Sequence, residues 1–574
     1  IYRVYIDENS LGRTDQSISS IQDFPFILYA EPEYIRRPYY TPNDPSYSSQ
    51  CSLEAVKADL AWDYWDIESG EIPGDENILL ASVDTGVDYT HPDLIENIWV
   101  NQGEILPEIF EYGVDSDNNG VISASEISSF MSTQGSSGDL NNDGISNLRD
   151  ALFAAYDSPF MDGIDNDGNG YPDDIIGWDL SGISGTEDND PFPKTGGGVS
   201  NSSGWAHGTH VAGILSATTD NNLGMASSVF NGKIMSVKCS REDISFSDDG
   251  DINSPLINDG YAGIIYAAKA ACPDPQDGCP VRTIINCSWG SEGGASSNAI
   301  INTAYNTYGA IVVAAAGNGN EDTGEEYAAH YPASSDNVIS VCALDCSGPG
   351  CLCEWGGWAT YHPSVDLGAP GSNVISTIIG GGYWVWDGSS MASPNTASAI
   401  GLVWSYHPTW TNEQIINQVM LTADLSIYDS HPDYINCKGE GGEYCLGKGV
   451  VDTQKAIGLP YITVDSYSFI ETNGDGDGVI NPGETGYLTI TLKNAEGGIN
   501  AEDITATLST KNQDITIIDS VSVYGNILAG TLSANNLDTY MLNIGQEINL
   551  GIVDFDTSAR ISGNGFYYLK GEKL

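Results

Sequence analysis

Asn77-Ile-Leu-Leu-Ala-Ser-Val-Asp84-Thr-Gly86 is the stretch from which the fold can be predicted. Its continuous apolar run has strand length and is typical of a parallel strand that helices bury on both faces. Asp84 follows at the carboxyl end of this strand, and Gly86 lets the chain turn. Because open α/β sheets build their sites at the carboxyl ends of parallel strands, we expect an α/β fold with Asp84 in a functional site. An isolated Asp-Thr-Gly is also compatible with an ordinary turn, so other segments must decide.

Two further segments supply side chains that a hydrolytic site needs. His207-Gly-Thr-His-Val-Ala-Gly213 continues into small and apolar residues, so we predict a buried helix that carries His207 in its first turn. Gly388-Ser-Ser-Met-Ala-Ser-Pro394 leads into a second predicted helix with Ser390 at its amino-terminal end. Pro394 is expected in the first turn of that helix, where a missing N–H costs little. The free N–H groups and partial positive charge of a helix amino terminus favour a developing oxyanion.

Asp84, His207 and Ser390 together have the composition of a nucleophilic triad. A serine hydroxyl is a poor nucleophile at neutral pH. It needs an imidazole to accept its proton and a carboxylate to hold that imidazole in the correct tautomer. The order acid, base, nucleophile differs from that of chymotrypsin-like enzymes and α/β-hydrolases. A helix cap at Ser390 and a structural histidine are the alternatives, and the three segments in this order favour catalysis, with His210 as a packing residue.

In these motifs the chain resembles the subtilisin-like serine peptidases, the subtilases. The resemblance implies an α/β fold, mainly a parallel sheet with helices on both faces, and an endopeptidase activity that passes through an acyl-enzyme. It also implies that Asp84 orients His207, that His207 acts as general base and then acid, and that Ser390 attacks the scissile carbonyl. The family usually has Gly-Thr-Ser-Met-Ala-x-Pro-His here. Ser389 and Asn395 replace its Thr and His, which leaves the nucleophile intact.

The resemblance also assigns an oxyanion donor and a substrate cleft. Ala310-Ile-Val-Val-Ala-Ala-Ala-Gly-Asn318 is a predicted buried strand, and in subtilases the residue matching Asn318 gives its side-chain amide to the oxyanion. Thr283-Ile-Ile-Asn-Cys-Ser-Trp-Gly290 resembles the strand that pairs with the extended substrate. The expected walls of the specificity pocket are Ser288, Trp289, Gly290, Ala316 and Gly317. These segments hold no acidic cluster, so we expect a preference for a large apolar or aromatic residue.

The composition favours an extracellular protein that does not bind nucleic acid. The chain has 574 residues, with 20 Lys and Arg against 79 Asp and Glu, and a formal net charge of −59. Such a charge argues against nucleic acids and anionic membranes as partners, and no apolar run approaches the ~18 residues of a membrane span. No signal-peptide pattern begins at Ile1, so a leader was removed or the sequence is a fragment. We expect a secreted monomer whose partners are protein or peptide substrates and its own propeptide.

The cysteines also indicate an oxidising compartment. The short loops Cys272–Cys279 and Cys437–Cys445 are each predicted to be closed by a local disulfide. A crowded group of four cysteines follows: Cys342, Cys346, Cys351 and Cys353. Two disulfides within this group are favoured, and a zinc cluster is the alternative. The total of eleven cysteines is odd, so at least one thiol is free or pairs elsewhere. Cys239 and Cys287 lie in strand-like runs and are expected to be buried.

Loops rich in Asp, Asn and Gly form the second strong pattern. Calcium takes six to eight oxygen ligands, and a 12-residue loop supplies them from positions 1, 3, 5, 7, 9 and 12, with Gly at position 6. Residues 115–126 fit this EF-hand-type spacing, 139–150 fit the dockerin variant, 473–484 repeat it with Asn first, and 165–174 are a denser version that resembles a loop of some subtilases. Ordinary turns are the alternative, and a poor one for three loops at fixed spacing. The predicted ligands of several structural Ca²⁺ ions are Asp115, Asp117, Asn119, the Val121 carbonyl, Ser123, Glu126, Asp139, Asn141, Asp143, Asn147, Asp150, Asp165, Asp167, Asn169, Tyr171, Asp173, Asp174, Asn473, Asp475, Asp477, Val479, Asn481 and Glu484.

Changes in sequence character divide the chain into three regions. Residues 1–38 resemble the end of a subtilase propeptide, and residues 39–460 form the predicted peptidase domain, with a calcium-binding insertion at about 103–200. From 461 to 574 apolar residues alternate with Thr and other polar residues, as in Tyr487–Lys493, so a small all-β sandwich is predicted.

The sequence therefore predicts a secreted serine endopeptidase that calcium stabilises. Two alternatives stay open. One is a processing peptidase of narrow specificity, and the other is an inactive, calcium-dependent binding or attachment protein that keeps an unused peptidase fold. The intact triad argues against the inactive protein. The natural substrate is not identified by the sequence.

Overall fold

In a computed structural model of the protein, the described residues are 40–153, 158–244, 251–276, 278–292, 297–319, 329–348, 350–439, 444–475, 481–510, 512–546, 556–561 and 567–570. Nearly all of them belong to one unit of the chain, Thr41–Leu574, which is compact. The other unit is Ile1–Tyr40, so the predicted propeptide remnant lies outside the described residues.

A mostly parallel sheet forms the centre of the fold. Its strands are β1 (Ile78–Asp84), β2 (Gly177–Asp179), β3 (Lys233–Lys238), β4 (Arg282–Cys287), β6 (Ile311–Ala315), β8 (Val338–Ser347) and β10 (Leu367–Pro370), with β9 (Leu352–Glu354) antiparallel to β8. Two antiparallel pairs are β5 (Ser291–Glu292) with β7 (His330–Tyr331) and β11 (Val374–Ile378) with β12 (Gly382–Trp386). The strand order β10-β8-β6-β4-β1-β3-β2 is that of a parallel α/β sheet, which confirms the predicted fold class for this part of the chain.

Helices follow or precede most of these strands. They are α1 (Cys51–Ala55), α2 (Ala58–Ala61), α3 (Pro107–Glu111), α4 (Ala124–Thr133), α5 (Leu148–Ala151), α6 (His207–Ser216), α7 (Gly260–Ala271), α8 (Asn298–Asn306), α9 (Ser389–Tyr406), α10 (Asn412–Thr422), α11 (Ile427–Ser430) and α12 (Thr453–Gly458). None of the described helices is both long enough and apolar enough to span a membrane.

Strand β1 shows that helices cover the sheet on both faces. All of its residues are buried, as its apolar sequence predicts. One face, with Leu79 and Val83, shares an apolar core with residues of α7 and α8. On the other face, the Ser82 hydroxyl donates to the carbonyl oxygen of Gly208 in α6 at 3.3 Å. Gly401 lets α9 approach the same face, because a Cβ there would stand 3.2 Å from Ile78.

The segment between β1 and α6 carries α3, α4, α5 and β2 and packs around an apolar cluster to which α6 and β3 also contribute. Ile109, Ile127, Leu148 and Phe160 are each at most 1% exposed and belong to one core cluster. This buried cluster holds the short helices of the segment in place, and the loops rich in Asp and Asn connect those helices.

Antiparallel sheets follow the peptidase region, in agreement with the alternating pattern of the sequence. One sheet contains β13 (Ile462–Asn473), β14 (Thr485–Asn494), β16 (Ile515–Asp519), β18 (Leu532–Ala534) and β19 (Tyr540–Ile544), and the other contains β15 (Ala501–Ser509), β17 (Val521–Ile527), β20 (Asp556–Ile561) and β21 (Tyr567–Lys570). Alternate residues of β14, such as Leu488 and Ile490, are buried in a shared core. The Trp410 indole N–H donates to the Glu496 carbonyl oxygen at 3.1 Å, joining these sheets to the end of the peptidase region. A separate domain with a boundary near 460 stays a prediction.

The disulfides confirm part of the cysteine prediction and correct the rest. Cys272–Cys279 and Cys437–Cys445 are bonded as predicted, and Cys239 and Cys287 are free and buried. The prediction of two disulfides within the crowded group is wrong, because Cys346 bonds Cys353, Cys351 bonds the distant Cys51, and Cys342 is free and buried. No zinc cluster is available among these residues, because three of the four sulfurs are in disulfides. Cys51 lies 300 residues from Cys351, which no local spacing can reveal.

Candidate active site and calcium loops

Strand β1 and helix α6 bring Asp84 and His207 together. The Nδ1 atom of His207 lies 2.8 Å from Oδ1 and 3.0 Å from Oδ2 of Asp84, whose side chain is 1% exposed. The backbone N–H of Thr85 donates to the same Oδ1 at 2.7 Å and fixes the carboxylate. A carboxylate accepts and does not donate, so this contact keeps the proton on Nδ1 and leaves Nε2 as the basic atom.

The same contact governs the charge state of the imidazole. Burial lowers the pKa of His207, but the negative charge of Asp84 and the hydrogen bond to it outweigh burial. The net result is a pKa above the usual 6.5. An imidazole with this pKa accepts a proton more strongly than a free one, as a general base requires.

Ser390 is the second residue of α9 and exchanges two hydrogen bonds with Ser288. Its hydroxyl donates to the Ser288 carbonyl oxygen at 3.0 Å, and the Ser288 hydroxyl donates to the Ser390 carbonyl oxygen at 2.8 Å. The predicted position of Pro394 is wrong by about a turn, because α9 already begins at Ser389 and Pro394 lies inside it. A proline at this position cannot donate to the carbonyl four residues earlier, so the Ser390 carbonyl is free to accept from Ser288.

Asn318 reaches the amino terminus of α9 from the end of β6. Its Oδ1 accepts from the backbone N–H of Ser389 at 2.8 Å and from the Ser389 hydroxyl at 2.9 Å. The Ser389 hydroxyl in turn accepts from the Gly317 N–H at 3.1 Å. These bonds fix the carbonyl end of the Asn318 amide, so that its NH₂ group is left to donate beside Ser390.

Trp386 lies over the histidine pair and was not identified from the sequence. Its ring is stacked on His210 with centroids 4.6 Å apart and on His207 with centroids 6.0 Å apart. Burial lowers the pKa of His210 to about 3, so His210 is a neutral packing residue. The only signal in the sequence was the position of Trp386 four residues before Ser390.

The predicted pocket walls come from two neighbouring strands. Ser288 and Ala316 are buried, Trp289 is half-buried, and Gly290 is exposed. The Trp289 indole N–H donates to the Val83 carbonyl oxygen at 2.8 Å, so this ring is fixed against the strand that carries Asp84. Gly317 has a positive φ of 111°, and a Cβ there would stand 2.8 Å from Thr360, so only glycine fits this wall.

The Asp84–His207 pair, the serine at the start of α9 and the asparagine beside it occur within one matched family model. Residues 75–452 match the model of the Subtilase family, about two thirds of the chain.

The chain belongs to the subtilase family.

As a member of this family, it is a serine endopeptidase. The chain is 28% identical over 417 residues to "Thermophilic serine proteinase" of Bacillus sp. (strain AK1), which covers 72% of each chain. It is 27% identical over 457 residues to "Extracellular basic protease" of Dichelobacter nodosus, covering 77% of this chain and 59% of the relative. A third relative, "Halolysin-like extracellular serine protease Nep" of Natrialba magadii, is 26% identical over 409 residues, 71% of this chain and 54% of the relative. The solved structure "Sphericase" aligns with 66% of this chain and 92% of its own at 21% identity and a TM-score of 0.41.

Three of the predicted calcium loops of this subtilase share one hydrogen-bonding pattern around the carboxylate at position 12. Glu126 accepts from the backbone N–H groups of residues 116, 117 and 123, which are positions 2, 3 and 9. Asp150 accepts from the same three positions of its loop, residues 140, 141 and 147. Glu484 accepts from residues 475 and 481. Asp477 and Val479 of this third loop lie outside the described residues.

The first loop brings acidic ligand atoms close together. Carboxylate oxygens of Asp115, Asp117 and Glu126 lie within 4.8 Å of one another. Position 5, Asn119, donates its amide to Asp117 at 3.0 Å, and its own Oδ1 accepts from the Val121 N–H at 2.7 Å. The Ser123 side chain caps α4 by accepting a hydrogen bond from the backbone N–H of Glu126. These are oxygen donors at EF-hand spacing, the ligand type that calcium prefers.

In the second loop, Asp139 has a buried oxygen that fits a cation. Its Oδ2 accepts from the Gly144 N–H at 3.1 Å, whereas Oδ1 is buried and finds no hydrogen-bond partner in the part of the chain that the structure describes. Asn141 accepts from the Asp143 N–H at 2.9 Å, and Asn147 caps α5 together with Asp150. A buried carboxylate oxygen without a donor is costly, and a bound cation would remove that cost.

In the third loop, the described candidate ligands lie close to Glu471, which was not predicted from the sequence. Oxygens of Glu471, Asp475 and Glu484 lie within 4.8 Å of one another, and Asn473 is the last residue of β13. Asn481 bonds to Glu484 at the end of the loop. Glu471 precedes the 12-residue pattern, so its proximity follows from the strand pairing and not from the spacing.

The fourth loop is completed by Glu104, which sequence analysis missed. Oxygens of Glu104, Asp165 and Asp167 lie within 4.8 Å of one another. Glu104 accepts from the N–H groups of residues 166, 167 and 173, which are again positions 2, 3 and 9 counted from Asp165. It therefore occupies the place that Glu126 takes in the first loop, although it lies far upstream in the chain.

The last two acidic residues of this loop, Asp173 and Asp174, have side chains that bond to groups other than those of the Glu104 cluster. Asp173 accepts from the N–H groups of Asp162 and Gly163. Asp174 is buried and accepts from Tyr266 at 2.8 Å and from the amides of Asn101 and Asn169. Burial raises the pKa of Asp174 to about 8 despite these hydrogen bonds. Asn169 accepts from the Tyr171 N–H, so Asn169 links the loop to this buried network.

A further acidic pair is formed by Asp44 and Asp93, which are distant in sequence. Both are at most 4% exposed, and Oδ1 of Asp44 is buried, with no described residue as its hydrogen-bond partner. Asn221 donates to Asp93 at 2.8 Å, and the Asp220 N–H donates to Asp44 at 2.9 Å. Burial, with a contribution from the charge of Asp93, raises the pKa of Asp44 to about 6. The short Asp220–Gly224 stretch was not predicted as a ligand site, and no spacing rule connects it to Asp44 or Asp93.

Proposed function

We propose that this subtilase is a secreted endopeptidase that hydrolyses peptide bonds through Asp84, His207 and Ser390 and that calcium stabilises. The observation that carries the proposal is the 2.8 Å contact between Asp84 and Nδ1 of His207, with Ser390 at the start of α9 in the same matched family region. Secretion is supported by four disulfides and by two relatives that are named extracellular.

The first half of the reaction forms an acyl-enzyme. The Ser390 hydroxyl turns from the Ser288 carbonyl toward Nε2 of His207, gives up its proton and bonds to the scissile carbonyl carbon. The carbonyl oxygen becomes an oxyanion that the Ser390 N–H and the Asn318 amide stabilise. His207 then protonates the amine, the C–N bond breaks, and the amine leaves.

The second half releases the acid and restores the enzyme. Water gives one proton to Nε2 of His207, and its oxygen attacks the ester carbon. The second oxyanion uses the same two donors. When it collapses, the ester C–O bond breaks, and the proton returns from His207 to the Ser390 oxygen. Asp84 stabilises the imidazolium in both halves without taking a proton.

Calcium has a structural role in this proposal. Ca²⁺ supplies a positive charge and coordination bonds that hold clustered carboxylates together. The residues that would hold it are those of the four loops, with Glu104 in the fourth, and the Asp44–Asp93 pair. Among the described ion pairs, no Lys or Arg contacts the carboxylate groups of the first or fourth loop. The carboxylates within each of these clusters therefore repel one another unless a bound cation neutralises them.

Hydrolysis of fluorescently labelled casein tests the proposal. We expect the wild type to release peptides and the Ser390→Ala variant to be inactive, because no other group can form the acyl-enzyme. Ser405→Ala is the matched control, since it makes the same change at the other end of α9, where the hydroxyl donates to the Gly401 carbonyl oxygen. A folded, calcium-loaded wild type that cuts nothing would contradict the proposal and favour the binding protein. Cleavage at a few sequences only would favour the processing peptidase.

A further inference from the structure

A polar cavity lies beside Asn318, outside the predicted walls of the specificity pocket. It has a volume of about 330 Å³, and its lining residues are Asn318, Asp345, Trp358, Ser372, Asn373 and Asp387. None of them is Ser288, Trp289, Gly290, Ala316 or Gly317. The volume is at the small end of the range for ligand sites and suits one long side chain.

A run of backbone hydrogen bonds assembles this cavity. The Gly371 N–H donates to the Leu344 carbonyl oxygen at 2.9 Å, and the Gly388 N–H donates to the Gly371 carbonyl oxygen at 2.8 Å. Each of these three residues has a lining residue as its neighbour in sequence: Asp345, Ser372 and Asp387. The main chain thus fixes two carboxylates around one space, next to the amino terminus of α9.

The two carboxylates are not neutralised within the described part of the chain. Oδ1 of Asp345 is buried and has no hydrogen-bond partner among the described residues. Oδ1 of Asp387 accepts from the Asn373 N–H at 2.6 Å, and none of the described ion pairs includes either carboxylate. A buried carboxylate oxygen without a donor costs free energy that a cationic ligand would recover.

The remaining walls also suit a cation. Trp358 is half-buried in the lining, and an indole face attracts an ammonium or guanidinium group. The disulfide Cys346–Cys353 closes the β8–β9 hairpin directly after Asp345, and Trp358 follows that hairpin. The acidic and the aromatic wall are therefore held together by one cross-linked element.

The position of the cavity indicates which part of a substrate it meets. The predicted walls for the residue before the scissile bond follow β4 and β6. Asp345 belongs to β8 and Ser372 follows β10, and both strands lie on the other side of β6 from β4. In the proposed mechanism, the scissile carbonyl lies between Asn318 and Ser390. An extended substrate that pairs along Ser288–Gly290 therefore continues past the scissile bond toward the cavity. The cavity then meets the leaving-group half of the substrate.

We propose that this cavity binds a Lys or Arg side chain of the substrate, located within the first three residues after the scissile bond. The inference rests on the proposed endopeptidase function and adds a cationic preference on the leaving-group side. Asp345 and Asp387 supply the charge, and Trp358 supplies the flat wall. The apolar preference predicted for the other side of the scissile bond is independent of it.

Matched peptide pairs test the proposal. Each pair carries either Lys or norleucine at one of the first three positions after the scissile bond and is otherwise identical. For the wild type we expect kcat/KM to be about tenfold higher for Lys at one of these positions, which is typical of a partly exposed ion pair assisted by an aromatic ring. The ratio of the two kcat/KM values is the readout, so general losses of activity cancel.

Two isosteric variants and one matched control complete the experiment. Asp345→Asn and Asp387→Asn should each lower the ratio about threefold, and the double variant should bring it close to one. The double variant Asp465→Asn/Asp519→Asn removes the same charge from β13 and β16 and should leave the ratio unchanged, which separates the cavity from the net charge of −59.

The outcomes distinguish this proposal from the proposed function. Equal cleavage of both peptides at all three positions, or a ratio that the Asp345 and Asp387 variants leave unchanged, overturns the cavity proposal while the endopeptidase stands. A folded wild type that cleaves neither peptide and does not react with a fluorophosphonate overturns both. A ratio that falls only in the cavity variants supports the proposal.

Discussion

The proposed catalytic site and the predicted calcium loops of this subtilase are assembled in opposite ways. Asp84 and His207 are 123 residues apart and meet because a buried strand and a buried helix pack together. The first calcium loop is contiguous and half-exposed, and its backbone N–H groups converge on the carboxylate of Glu126. The catalytic geometry is therefore fixed by the core, whereas the geometry of the loops is fixed by hydrogen bonds from backbone N–H groups to carboxylates whose charges repel one another.

This difference separates chemistry from stability. Isosteric changes at the catalytic site should reduce the rate and leave the fold intact, because the surrounding core is unchanged. Changes at the loops should reduce stability and calcium affinity and leave the rate per folded molecule intact. Each prediction below probes one side of this comparison.

The largest effect is expected for Asp84→Asn. An amide can place a hydrogen-bond donor against Nδ1, which would stabilise the wrong tautomer of His207, and the corresponding change in the Ser-His-Asp template lowers kcat about 10⁴-fold. Steady-state kinetics on a fluorogenic peptide would measure this. Asp75→Asn, before β1, is the matched control and should retain activity. A folded Asp84→Asn enzyme with near wild-type kcat would contradict the role of the carboxylate.

Asn318→Ala should have the next largest effect. It removes one of the two oxyanion donors, which typically costs about 10²–10³-fold in kcat, with little change in KM. The control is Asn306→Ala, at the end of α8, whose amide bonds only to the Asn302 carbonyl. A rise in KM with an unchanged kcat would show that Asn318 binds the substrate in its ground state and does not stabilise the oxyanion.

The pH profile gives a smaller effect with a defined sign. Because Asp84 raises the pKa of His207 above 6.5, the base stays protonated to a higher pH than in a free imidazole. We expect kcat/KM to rise with pH along a limb whose midpoint lies above 6.5, and to fall about tenfold per pH unit below it. For Asp84→Asn, the midpoint of the residual activity should move to lower pH. A limb centred below 6.5 in the wild type would contradict the assigned contact.

Glu104→Gln should have the smallest effect on rate and the clearest effect on stability. Losing this carboxylate weakens the fourth loop, and losing one ion that was present at a hundred times its Kd removes about 2.7 kcal/mol of stabilisation. Thermal unfolding with and without calcium would measure this. Glu108→Gln in α3 is the control, since that residue is exposed and belongs to none of the acidic clusters of the described residues. If calcium stabilised both variants equally, Glu104 would not be a ligand.

The parts of the molecule that the sequence predicts are those that depend on local pattern. The strand ending at Asp84, the helix beginning at His207 and the antiparallel strands around Tyr487 and Ile504 follow from apolar periodicity. Pro394 was predicted in the first turn of α9 but lies deeper in the helix, where another donor, here Ser288, satisfies the carbonyl that the proline frees.

The parts that the sequence did not predict depend on distant contacts. Glu104 completes a loop that begins at Asp165, and Cys51 pairs with Cys351, but no spacing rule connects residues so far apart. Trp386 lies over His207 only after β11 and β12 have paired. Local sequence determines the elements, and tertiary packing determines which of their side chains meet.

Reaction with a fluorophosphonate, followed by mass spectrometric mapping of the adduct, tests the central claim most directly. The folded, calcium-loaded protein should carry one adduct, located on Ser390, and Ser390→Ala should carry none while Ser405→Ala reacts like the wild type. Prior removal of calcium should reduce the yield of adduct in proportion to the fraction unfolded. An adduct on another residue, or no adduct on a folded protein that hydrolyses peptides, would contradict the proposed role of Ser390.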